Sequence, residues 1–198
     1  RNIPLTTTVC NIIACVITAA VGTVTLPASG AITDDNAGDH KNPPSTLTAS
    51  AATGIDLDTD VTSITATTSG IGAIEIDEAN AVTLTNVTTT DGLIRVNAGG
   101  AMTATNVVAG GVGRNITLTT TVGNIIAGVI TAADGTVTLT AAGAITDGNA
   151  VANNITAAIA TLTAFTGIGS AVDPLDTTIA TLNATTTTGG IFITEADA

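Results

Sequence analysis

A glycine followed by apolar residues at alternate positions recurs through this chain at a nearly fixed interval. It is read at Gly72-x-Ile74-x-Ile76, Gly92-x-Ile94-x-Val96 and Gly135-x-Val137-x-Leu139, with Ile116-x-Leu118 between the last two. From Ile74 to Ile94, Ile116 and Val137 the steps are 20, 22 and 21 residues. Gly22-x-Val24-x-Leu26 and Gly189-x-Ile191-x-Ile193 carry the same pattern and read as further members of the set. A second pulse trails the first, at Val82-x-Leu84-x-x-Val87, Met102-x-Ala104-x-x-Val107 and Ile125-x-Ala127-x-x-Ile130. Alternation with a period of two puts one row of side chains in a core and the other in water, as in a strand. An interval holding two or three short strands and a glycine corner fits one coil of a solenoid whose coils stack about 4.8 Å apart. The expected fold is all-β, a parallel β-helix with coils of about 20–22 residues. An antiparallel sandwich also has short strands between turns. It would not place the same side-chain type at the same point of every interval.

The chain also copies itself on a longer scale. Residues 1–37 and 114–150 differ at only seven positions. Residues 46–81 align more loosely with 161–198. The reading is one β-helix segment over 1–198, cut from a longer repetitive protein, with a unit of about 113–118 residues: 1–113, then a partial copy over 114–198. The copies are expected to form equivalent pairs of coils. The gaps from 24 to 74 and from 137 to 191 should hold further coils, around Leu47 and Leu162, with 170–178 as a loop. Two of the seven differences, Pro4 and Pro27 in place of Thr117 and Thr140, remove ladder donors; with Cys10 and Cys15 in place of Gly123 and Gly128 they suit either an atypical capping coil or a decayed copy over residues 1–45.

Composition supports strands over helix. The 43 Thr and 21 Gly oppose a helix, whereas β-branched side chains suit a pleated surface. A net charge of −12 repels nucleic acid and anionic lipid, so neither is expected as a partner. No apolar run approaches the ~18 residues of a membrane-spanning helix, and membrane insertion is not expected. Cys10 and Cys15 lack the further Cys or His that a disulfide framework or zinc site needs.

Segments such as GTVTLTAAGAITDG (135–148), AVTLTNVTTTDGLIRVNAGG (81–100) and GGIFITEADA (189–198) resemble the repeats of filamentous-haemagglutinin-like adhesins, very large bacterial β-strand-repeat proteins. That resemblance implies a right-handed β-helix and an extracellular or cell-surface location. It also implies a role in adhesion or in an extracellular fibre, with host-cell or matrix glycan as a partner. Exposed coil edges would let copies associate end to end. No enzymatic activity is expected, because four Lys+Arg, one His (His40) and no Trp or Tyr leave little for a sugar-cleaving groove.

A ligand-binding module, taking ice or Ca²⁺-dependent carbohydrate, is the alternative. Asp56, Asp58 and Asp60 alternate along one strand face, and crowded carboxylates favour a hard cation such as Ca²⁺. The second copy keeps only Asp173 and Asp176 there. Glu75 and Arg95 should stack outward on neighbouring coils as an ion pair, with Thr117 and Thr138 continuing the row. Thr-x-Thr pairs suggest ice binding. In sequence the array looks broken, by Glu75 and Arg95 in one row and by Ile126 and Gly128 in another. The four Asn-x-Thr sequons, at Asn86, Asn115, Asn154 and Asn183, are ordinary in so Thr-rich a chain.

Overall fold

The computed structural model describes residues 2–4, 10–14, 22–35 and 46–196. Their regular structure is all β. The strands are β1 Ile3–Pro4, β2 Ile12–Ala14, β3 Thr23–Pro27, β4 Ala31–Asp34, β5 Thr46–Ala51, β6 Gly54–Thr59, β7 Ser63–Ile71, β8 Ile74–Glu78 and β9 Val82–Asp91. They continue as β10 Ile94–Ala98, β11 Met102–Ala109, β12 Ile116–Thr120, β13 Ile125–Ala141, β14 Ala144–Asp147, β15 Ile155–Ala164, β16 Gly167–Ile168, β17 Leu175–Thr186 and β18 Ile193–Glu195. Pairing among them is parallel throughout, which rules out the sandwich. The strands wind as a β-solenoid of about eight turns.

Three ladders run along it. The first joins Ile12, Ile32, Ile55, Ile74, Ile94, Ile116, Val137, Ala160 and Leu182. The second contains Val82, Met102, Ile125, Ile145, Ile168 and Ile191, with Val24, Leu47, Ile64 and Leu84 two residues further along its strands. The third joins Leu26, Ala49, Ala66, Val87, Val107, Ile130 and Ile155. Their inward side chains make one apolar column, in which Ile74, Ile94, Ile116 and Val137 are almost wholly shielded. Burial of each contributes roughly 1.5–3 kcal/mol. Leu47 and Leu162 lie in this core, as the gap-filling coils require. The expected loop is shorter than 170–178, since β17 begins at Leu175.

Corners are set by sterics and by buried threonines. A Cβ on Gly72 would strike the Thr53 carbonyl oxygen, one on Gly92 that of Gly72, and one on Gly135 that of Arg114. Coils at 4.8 Å leave no room for it. Thr68, Thr89 and Thr120 turn inward at strand ends and donate to the carbonyls of Gly72 (3.2 Å), Gly92 (2.6 Å) and Gly123 (3.1 Å). Inward hydroxyls are thereby satisfied without water.

The two sequence copies pair internally in the same way but do not occupy the same faces. Ile3 pairs with Val24 as Ile116 pairs with Val137, and Ala31 with Gly54 as Ala144 with Gly167. Gly54 and Gly167 even share a φ near +149° and +148°. Yet Val24 belongs to the second ladder and its counterpart Val137 to the first, whereas Ile32 belongs to the first and Ile145 to the second. A 113-residue unit is not a whole number of coils, so the second copy is rotated by one face. This corrects the single column expected from sequence: Val24 and Ile191 do not stack in line with Ile74.

Pro4 in β1 pairs with Thr25 of β3, and Pro27 at the end of β3 pairs with Ser50 of β5. Cys15 and His40 lie outside the described residues.

Candidate functional site

Whatever this molecule recognises must meet its outward rows, because the inward rows are a closed core. On the first ladder one outward row runs Thr33, Asp56, Glu75, Arg95, Thr117, Thr138, Thr161 and Asn183. Two residues further along each strand, a second row runs Asp58, Asp77, Asn97, Thr119, Thr140, Thr163 and Thr185. The face is therefore divided: charged on β6, β8 and β10, hydroxylic from β12 onward.

In the charged part, Arg95 does stack on Glu75, but its nearer partner is Asp77. Its Nη2 lies 3.2 Å from Asp77 and 3.8 Å from Glu75. Asn97 Nδ2 donates to the other Asp77 oxygen at 2.7 Å. Both ion-pair partners are about a third or more exposed, so the pair contributes under ~1 kcal/mol. Asp56 and Asp58 point outward on β6 as alternation requires, and Asp60 follows just beyond its end. Asp60 accepts a bond from Asn80 Nδ2 at 2.9 Å. Among the described residues no three His, Cys, Asp or Glu side chains are gathered so as to hold a metal ion.

One carboxylate escaped the sequence reading. Glu78 ends β8 with its side chain inside the solenoid, 3% exposed. It accepts bonds from the Thr59 hydroxyl (2.7 Å), the Val61 amide (3.0 Å) and the Asn80 amide (3.1 Å). Desolvation raises its pKa above the usual carboxyl value. The three donors oppose this, and the nearby Asp60 charge adds to it. The partial copy repeats the arrangement: Thr177 donates to Glu195 at 2.7 Å and the Ile179 amide at 3.1 Å. The signal was present in the parity. Ile74, Ile76 and Glu78 are alternate residues, so a strand that buries the first two buries the third.

The sequons are mostly consumed by the fold. Asn154 is completely buried; it donates to the Ala127 carbonyl and to Asp147, each at 2.7 Å, and accepts from the Asp176 amide at 2.7 Å. Asn115 accepts from the Thr136 amide at 2.9 Å, and Asn86 from Asn106 at 2.6 Å. Asn124 caps the Ala144 amide at 2.8 Å, as Asn11 caps Ala31 at 2.9 Å in the first copy. Gly123, whose place Cys10 takes in the first copy, has φ +86°. Cys10 is exposed.

No family model, curated protein or solved structure matches the chain. The fold and its surfaces carry the functional argument alone. No helix among the described residues is long and apolar enough to cross a membrane.

Proposed function

We propose that the chain is a structural and adhesive segment of an extracellular β-helix protein, akin to the filamentous-haemagglutinin-like adhesins that its repeats resemble. It works as a scaffold rather than a catalyst. The observation that supports this is the continuity of the three ladders through both sequence copies. A stack built that way can be lengthened coil by coil without a new core, and it presents its outward rows at fixed spacing. The last described coil leaves Leu182, Ile191 and Phe192 about 40% exposed. A further coil, of a longer chain or of a second copy, would cover them and extend the ladders end to end. Matrix or host-cell glycan is the adhesive partner in this reading. Ca²⁺ near Asp56, Asp58 and Asp60 acts as a counter-ion of the acidic coils rather than as a structural ligand.

Electron microscopy of the pure protein tests the scaffold reading. Filaments of constant width, or thin rods, are expected; compact isodiametric particles would sink it.

A further inference from the structure

The division of the first face has a cause in the rotated copy. β12, with Thr117 and Thr119, and the TVTLT and TLTA stretches that stack after it all belong to the second copy, which the one-face rotation sets on this face directly after the charged coils of the first. The result is three consecutive Thr-x-Thr coils: Thr117/Thr119, Thr138/Thr140 and Thr161/Thr163, with Thr185 extending one row. Of the breaks read in sequence, the one at Ile126 belongs to the second ladder, opposite Thr103. The breaks at Glu75 and Arg95 are real, but they lie at its border.

We infer that this patch is an ice-binding surface. Parallel stacking spaces equivalent hydroxyls about 4.8 Å along the solenoid, and two residues of strand space the rows about 6.6 Å apart. Oxygen atoms on faces of hexagonal ice repeat at comparable distances. Among the described residues the six hydroxyls bond to no other protein group, leaving them to organise water, and each is set beside its own methyl group. Branching at Cβ holds χ1 in few rotamers, and flanking coils hold the strands, so little freedom remains to be lost on binding. No charged side chain interrupts the six, whereas the coils before them carry Asp77 and Arg95. The hydroxyl row on the second ladder, at Thr23, Thr46, Ser63, Thr83 and Thr103, is a poorer candidate. Ser63 donates to Thr46 at 3.1 Å, and the row ends at Ile126. A crystalline glycan fits this patch less well, since its three coils present hydroxyl and methyl groups alone and no aromatic ring on which a flat sugar face could stack.

The test is ice-affinity partitioning of the folded protein, with recrystallisation inhibition as a second readout. It compares wild type with Thr138→Lys and with Thr156→Lys, the latter placed on the outward row of the third ladder. All three should melt alike, because each substitution faces outward. Wild type and Thr156→Lys are expected to enter growing ice, and Thr138→Lys to be excluded. Exclusion of folded wild type overturns the inference, as does equal behaviour of the two variants, or retention on crystalline cellulose with none in ice. Filaments of the same samples seen by microscopy report on the scaffold separately, so either reading can fail alone.

Discussion

Glu78 is the one charged side chain fully buried among the described residues. Three donors converge on it, and removing the carboxylate leaves the Thr59 hydroxyl and the Val61 amide unmet inside the solenoid. Glu78→Ala is expected to cost about 1–3 kcal/mol in urea unfolding, the penalty of leaving buried donors unmet. The sign of its pH dependence follows from its raised pKa. The folded state holds the proton more tightly than the unfolded one. Its contribution is therefore complete below the ordinary carboxyl value and fades as pH rises through the elevated folded value. Relief of the −12 net charge acts in the same direction, so the informative quantity is a difference. Glu78→Gln should flatten the fall in stability between mildly acidic and neutral pH relative to wild type. Parallel pH profiles for the two proteins would exclude Glu78 as its source.

At the scale of elements, the corner glycines hold the coils at strand spacing. Gly92→Ala would press a methyl group against the Gly72 carbonyl oxygen, which belongs to backbone with a coil above and below. Overpacking of this kind costs about 1–3 kcal/mol, and a drop in urea midpoint without a change in slope is expected. A neutral outcome would mean that the coils can part locally. The elements also show what could be read from sequence. Period-two alternation with a recurring glycine is enough to read the strands of these coils and the stacking of Ile74, Ile94, Ile116 and Val137 from sequence. The rotation of the second copy could not be read. It depends on the coil lengths between residues 24 and 116, and the step from Leu47 to Ile64 is only 17 residues whereas that from Val24 to Leu47 is 23. A fixed period conceals such variation, which decides the face on which each later strand lands. That is why the Thr-x-Thr pairs could be read singly but not gathered on one face, whereas the inward place of Glu78 follows from its parity with Ile74 and Ile76.

At the scale of the molecule, a chain of −12 can stack on its own kind only against repulsion. Assembly into filaments is expected to increase from 10 mM to 150 mM salt, where the screening length falls from about 30 to about 8 Å. Light scattering would follow it, and assembly that weakens with salt would point to attraction between charged patches instead. One face of the solenoid climbs coil by coil from Thr33 to Thr161. Spin labels at Thr33 paired in turn with Thr117, Thr138 and Thr161, in a cysteine-free background, measure that climb by pulsed electron resonance. Four, five and six coil steps predict separations of about 19, 24 and 29 Å, rising by one strand spacing each time. Distances that fail to rise in that order would contradict the parallel solenoid.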